Sequence, residues 1–206
     1  MGTGALPLTE QGLFPAEHRA VRELHAMVRR LVVHWSRLGR RLGGDAGAVI
    51  DRGAGAGREL LVELERQSAA HALYGFPAAQ GVGANTAGLR GMSDLLLERN
   101  QALRAAVLDM THVTLLLGYL AELAERRDGA ELAAFHRRWE ARLRALEEEA
   151  RAVARAEGRT PERAIEPAEP GSLGRAGHAV ASRLGTLGEA IDGSTVGRAA
   201  RRLRGG

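Results

Sequence analysis

The stretch PAEHRAVRELHAMVRRLVVHWSRLGRRL, residues 15–42, decides the fold. Val21, Leu24, Val28, Leu31, Trp35, Leu38 and Leu42 recur at spacings of three and four. That spacing is the apolar seam of an amphipathic helix. Pro15 suits the first turn, where its missing N–H costs nothing, and Gly43-Gly44 ends the run.

Proline placement extends the map outward from this seam. Pro7, Pro15, Pro77, Pro161, Pro167 and Pro170 leave residues 16–76 and 78–160 free of breakers. Asp45 is positioned to cap a second helix running to about Tyr74, with Val49, Ile50, Leu60, Leu61 and Leu64 on its apolar side. Its first half carries Gly47, Gly53, Gly55 and Gly57, each unfavourable inside a helix by about 1 kcal/mol relative to Ala. Ser93 is expected to cap a third helix reaching Arg127 on Leu96, Leu103, Ala106, Met110, Val113, Leu117 and Leu120. Asp128 and Glu131 have capping-box spacing for a fourth, which buries Leu132, Phe135, Trp139, Leu146 and Val153 and stops at Gly158.

These segments predict an all-α protein, a four-helix up-down bundle with a long Gly-rich loop between helices two and three and a Gly/Arg-rich C-terminal tail. The chain divides into a flexible N-terminus (1–14), the bundle (15–158), a Pro-rich linker (159–170) and an amphipathic or flexible tail (171–206). The connection 75–91 is far longer than a bundle usually needs. It is therefore a candidate functional element, or a crossing from one end of the bundle to the other.

Composition excludes several chemistries. Among 206 residues there is no cysteine, and all 29 basic residues are arginine. Disulfides, thiolate nucleophiles, Cys-type zinc sites and catalytic lysines are thereby absent. Hydrophobic residues make up 45% and aromatics only 3%, so Leu, Val and Ala must build the core. The net charge is +4, and no leader-like N-terminus is visible in MGTGALPLTEQGLFP. The most apolar run, 110–124, falls short of the roughly 20 residues of a membrane span. A cytoplasmic location is expected.

Four places could carry function. The first is AVIDRGAGAG, residues 48–57, followed by Arg58 and Glu59. It resembles the first motif of class I S-adenosylmethionine-dependent methyltransferases, a strand ending near an acid and then G-x-G-x-G opening a helix. The resemblance implies a doubly wound fold and a cofactor held at Gly53–Gly57. Arg52 stands where that family carries an apolar residue, and LYGFP (73–77) lacks the expected ribose-binding acid. The alternative is that Gly53 and Gly57, four residues apart, let another helix pack close.

Histidines are the second, with His25 and His34 on helix one, His71 on two, His112 on three and His136 on four. In an up-down bundle His112 lies level with residues near about 32, 56 and 145, a reckoning at 1.5 Å per residue. Only His34 then meets it, beside Asp109, which suits a hydrogen-bonded pair and not a metal site. No metal or other cofactor is inferred.

The third candidate is the 75–91 loop with the polar run after it: Gln80, Asn85, Thr86, Arg90, then Glu98, Arg99, Asn100 and Gln101. Four successive polar residues encircle a helix, so at least one faces inward and needs a partner. These residues either bind a ligand or close the bundle end by their own bonds.

The tail is the fourth. Leu173, Val180, Leu184, Leu187 and Ile191 form a thin stripe, and Arg198, Arg201, Arg202 and Arg204 follow without an acid. Residues 192–197 (DGSTVG) are loosely similar to the C-terminal cargo tags of encapsulin nanocompartments, and LRGG (203–206) is similar to the end of ubiquitin-like modifiers. Both likenesses imply a short C-terminal element presented on a linker.

Together these readings predict a non-enzymatic interaction protein with a protein partner, acting through the tail and the 75–91 loop. A homodimer through helix one is a further expectation. An S-adenosylmethionine-dependent or other small-molecule enzyme is the first alternative, and a peripheral coat on a lipid or polymer surface the second. Nucleic acid fits poorly, because stacking aromatics are missing.

Overall fold

The computed structural model describes residues 12–70 and 97–168. Four long helices pack together there: α1 (Pro15–Leu42), α2 (Gly44–Ala70), α3 (Arg99–Arg126) and α4 (Ala130–Ala156). A 3-10 turn (Glu157–Arg159) and a short helix α5 (Pro161–Ala164) follow. No strand occurs among the described residues, and one isolated bridge joins Glu98 to Pro167. The protein is an all-α helical bundle.

The α1 seam is the heart of it. All seven seam residues, Val21 through Leu42, are buried, none more than 7% exposed. They meet Leu60 and Leu64 of α2, Leu103, Met110, Leu117 and Leu120 of α3, and Phe135, Trp139 and Leu143 of α4 in one core. The seam is therefore consumed inside the molecule as bundle core.

Gly43 and Gly44 take φ of +59° and +55°, the left-handed region that glycine reaches without strain. This turn reverses the chain so tightly that α2 begins at Gly44, and Asp45 lies in its first turn instead of preceding it. Helix α2 continues unbroken through Gly47, Gly53, Gly55 and Gly57. The close approach of α1 is the reason. A Cβ at Gly53 would penetrate the Trp35 ring, and one at Gly57 would sit 2.8 Å from Val32 Cγ2. Tight α1–α2 packing thus offsets the poor helix propensity of Gly47, Gly53 and Gly57.

Two further cap assignments differ from the sequence expectation. The N-cap of α3 is Glu98, not Ser93, and Glu98 N–H donates to Gln101 Oε1 at 3.1 Å. The N-cap of α4 is Gly129, while Asp128 takes φ +61° and its side chain makes no cap bond. The 159–168 stretch, expected as a linker, folds back on the bundle. Its backbone pairs with residues 97–99: Arg99 N–H donates to Glu166 O and Ala168 N–H to Leu97 O. Ala164 and Ala168 are buried there. Leu13 is fully buried as well, so the packed body begins within the stretch expected to be flexible.

Helix directions refine the order. Glu17 at the start of α1 pairs with Arg127 at the end of α3, and Leu42 O at the end of α1 accepts from Arg99 at the start of α3. So α1 and α3 are antiparallel neighbours. Arg52–Glu149, Arg142–Glu59 and Arg138–Glu63 form a ladder of constant register between α2 and α4, which also run antiparallel. In a strict up-down order α1 and α3 would be parallel; here α2 and α3 are. Ala70 and Leu97 consequently lie at opposite ends of the bundle, and the chain between them connects those ends, the second role open to the 75–91 loop.

Candidate functional site

The interior is filled. A void bounded by Val28, Trp35, Gly53, Met110 and Leu143 measures about 20 Å³, room for no more than one water. Buried carboxylates and guanidinium groups stand outside it and are tied to one another. Glu17, fully buried, accepts Arg127 Nε at 2.9 Å and NH2 at 3.0 Å at one end of the bundle. At the other end Arg99 Nε donates to both oxygens of Glu157 at 3.0 Å, and its NH1 to Leu42 O at 2.7 Å. Both pairs join helices remote in sequence.

A third buried carboxylate, Glu147 of α4, accepts hydrogen bonds from Thr111 at 2.6 Å, Thr114 at 3.1 Å and Arg151. Burial raises its pKa, and the bonds from Thr111, Arg151 and Thr114 together outweigh that and hold it below the usual carboxylate value. Glu147 is thereby kept ionised and fully engaged, which suits a structural role more than a proton-transfer one.

The histidines do not converge. His136 is 1% exposed, packed edge-on to Phe135 with ring centroids 5.1 Å apart. Burial, and secondarily the Arg127 charge, lower its pKa to about 4. His25 is buried and shifted down chiefly by desolvation, with Arg29 adding to the shift and Glu65 opposing it. His112 is exposed and lies 3.5 Å from Glu23 Oε1. Among the described residues no group of three or more His, Asp or Glu could hold a metal.

The glycine-rich segment 48–57 is helix interior throughout. The methyltransferase resemblance needs a strand and a loop there, so the cofactor expectation at Gly53–Gly57 is corrected: Gly53 and Gly57 are contact points for α1. Of the polar residues expected near the 75–91 loop, Glu98, Arg99 and Asn100 come together at the start of α3. Arg99 is the one that faces inward. Asn100 Nδ2 donates to Ala164 O at 3.0 Å and Glu98 Oε2 at 3.2 Å. Asp109 is half-buried further along α3. Gln80, Asn85, Thr86 and Arg90, and the tail residues Leu184, Leu187, Ile191, Arg198, Arg201 and Arg202, lie outside the described residues.

The surface feature that sequence reading missed is the outer face of α3. Leu108 is 68% exposed, Leu115 71% and Tyr119 46%, all on one side of a helix whose opposite side is core. Beside Leu108 a groove of about 550 Å³ runs between α3 and α4, with Ala154 in its floor and Arg104, Arg151 and Arg155 at its rim. The signal was present in the sequence: α3 is apolar nearly all round, so one bundle core cannot use every face of it. By length and composition this helix could also cross a membrane, although half of its most apolar stretch is buried in the bundle. No protein-family model, curated protein or solved structure matches this chain.

Proposed function

We propose that the protein is a non-enzymatic, cytoplasmic helical-bundle binding protein that presents the outer face of α3 to a protein partner. The observation that carries this reading is the exposure of Leu108, Leu115 and Tyr119 on one helix face. Apolar side chains grouped on one exposed face mark contact surfaces more often than scattered ones do. The C-terminal tail and the 75–91 loop remain proposed as further contacts, on their composition alone. No cofactor is part of the proposal; the buried carboxylates Glu17, Glu147 and Glu157 are each bonded to neighbouring side chains.

Native mass spectrometry of the purified protein tests it. The expected mass is that of the bare chain, a whole multiple of it, or the chain with a protein partner. One equivalent of metal or small molecule surviving buffer exchange overturns the non-enzymatic reading. A second reading, a peripheral coat on an anionic lipid surface, draws on the same face together with Arg104 and Arg126. It expects flotation with anionic liposomes that is lost in Leu108→Glu/Leu115→Glu; flotation unchanged by those substitutions, or none at all, rules it out.

A further inference from the structure

We infer that the outer face of α3 is a homodimer interface, in which a second copy of the chain lays its own α3 antiparallel on the first. This rests on the reading of that face as a binding surface and adds the identity of the partner. The exposed positions in order are Arg104, Leu108, His112, Leu115, Tyr119 and Glu122. Leu108, His112, Leu115 and Tyr119 are symmetric about a point between residues 113 and 114, Leu108 answering Tyr119 and His112 answering Leu115, and Arg104 and Glu122 flank them within one residue of the same centre. A two-fold interface requires this, because residue i must meet j while j meets i.

Charge then selects the direction. Arg104 and Glu122 are separated by 18 residues, about five whole helical turns, so they lie on the same flank of α3. A two-fold axis perpendicular to the helices brings like flanks together, which places Arg104 against the partner's Glu122 at both ends of the contact. A parallel pairing would instead bring Arg104 level with the partner's Arg104 and Glu122 level with the partner's Glu122, with no opposite charges paired at either end. Arg104 forms no ion pair among the described residues. Glu122 shares Arg137 with Glu125, which holds that guanidinium at 2.7 Å on its own account. Glu122 can therefore turn outward without stranding a charge. Between the ion pairs, Leu108, Leu115 and Tyr119 supply the apolar centre of the contact.

The test uses the full chain in analytical ultracentrifugation from micromolar to near-millimolar concentration. A dimer is expected, with Arg104→Glu and Glu122→Arg each raising its dissociation constant several-fold and the two together restoring it. All these positions are exposed, so at dilutions where every protein is monomeric the variants should melt close to wild type. The absence of cysteine allows the register to be mapped by oxidation. In the antiparallel dimer Leu115→Cys is offset from its symmetry mate by only ~4.5 Å along the axis, and Leu108→Cys by roughly 16 Å. Leu115→Cys should therefore cross-link to itself, and Leu108→Cys only when mixed with Tyr119→Cys. A monomer at every concentration, a dimer insensitive to the charge reversals, or self-linking of Leu108→Cys overturns the dimer. In any of those cases, loss of a different partner in Leu108→Glu/Leu115→Glu would leave the binding-surface reading standing, while full indifference to that double substitution would end both.

Discussion

At Gly53 the α1 and α2 backbones are held close by the Trp35 ring, which lies where a Cβ would go. Two residues on, Gly55 has only Arg58 NH2 near it, 3.9 Å from where its Cβ would lie. The same substitution should therefore change sign between them. Gly53→Ala forces a rigid buried ring aside and is expected to destabilise by about 1–3 kcal/mol. Gly55→Ala meets ordinary contact distance and should stabilise by up to ~1 kcal/mol through helix propensity. Urea melts of the two variants check both signs. The four-residue spacing of Gly53 and Gly57 already suggested in the sequence that these two, and not Gly55, face another helix, but which helix and which side chain meet them was not legible there. His136 gives a second residue-scale outcome. Its pKa of about 4 in the fold lies below the ordinary histidine value of 6.5, so the unfolded chain binds the extra proton between those values. Stability is complete above pH 6.5 and falls as pH drops toward 4, by on the order of 3 kcal/mol for this group. His136→Leu should flatten that part of the stability–pH curve, and a slope unchanged from wild type would show that His136 is not its source.

At the scale of elements, each end of the bundle is closed by a buried ion pair between distant helices. Arg99 is the more informative, since it ties the start of α3 to the 3-10 turn through Glu157 and to the last turn of α1 through Leu42 O. Arg99→Met leaves the Glu157 carboxylate buried without its cation, and a loss of about 3–5 kcal/mol is expected. Arg99→Met/Glu157→Leu should recover much of it, because an apolar pair of similar size removes the stranded charge. Chemical denaturation of the three proteins checks this, and a double variant no better than the single would show that the pair itself, and not the stranded carboxylate, carries the loss. The inward-facing member of the 98–101 run was legible, because four polar residues cannot all avoid the core. Its partner was not: Glu157 lies 58 residues away, on a turn no local pattern announces. The α3 cap failed to be read for the same reason. Ser93 is a good local cap, but Arg99 N–H finds Glu166 O, and that contact is tertiary.

Across the whole molecule, periodicity identified the helices and their buried faces but not the direction of α3. An apolar stripe reads the same when its helix is reversed, so the α1 seam is equally satisfied by a parallel or an antiparallel neighbour. What separates the two orders is the length of the connection. The link between α3 and α4 is short because it joins neighbouring ends, whereas residues 71–96 join Ala70 to Leu97 at opposite ends of helices 27 and 28 residues long. Such helices span roughly 40 Å at 1.5 Å per residue. A fully extended chain needs about 12 residues to cover that distance. Shortening the 26-residue connection to about 18 should therefore preserve the fold, and lengthening it two-fold should cost only ~0.6 kcal/mol of closure entropy. Cutting it to four residues cannot be accommodated in one chain. That variant is expected to lose the Arg99–Glu157 and Glu17–Arg127 closures together, or to recover them by exchanging helical hairpins between two chains. Melting curves and sedimentation of the three lengths would show this. A four-residue variant that stays monomeric with the wild-type melting point would mean that α2 and α3 run antiparallel after all.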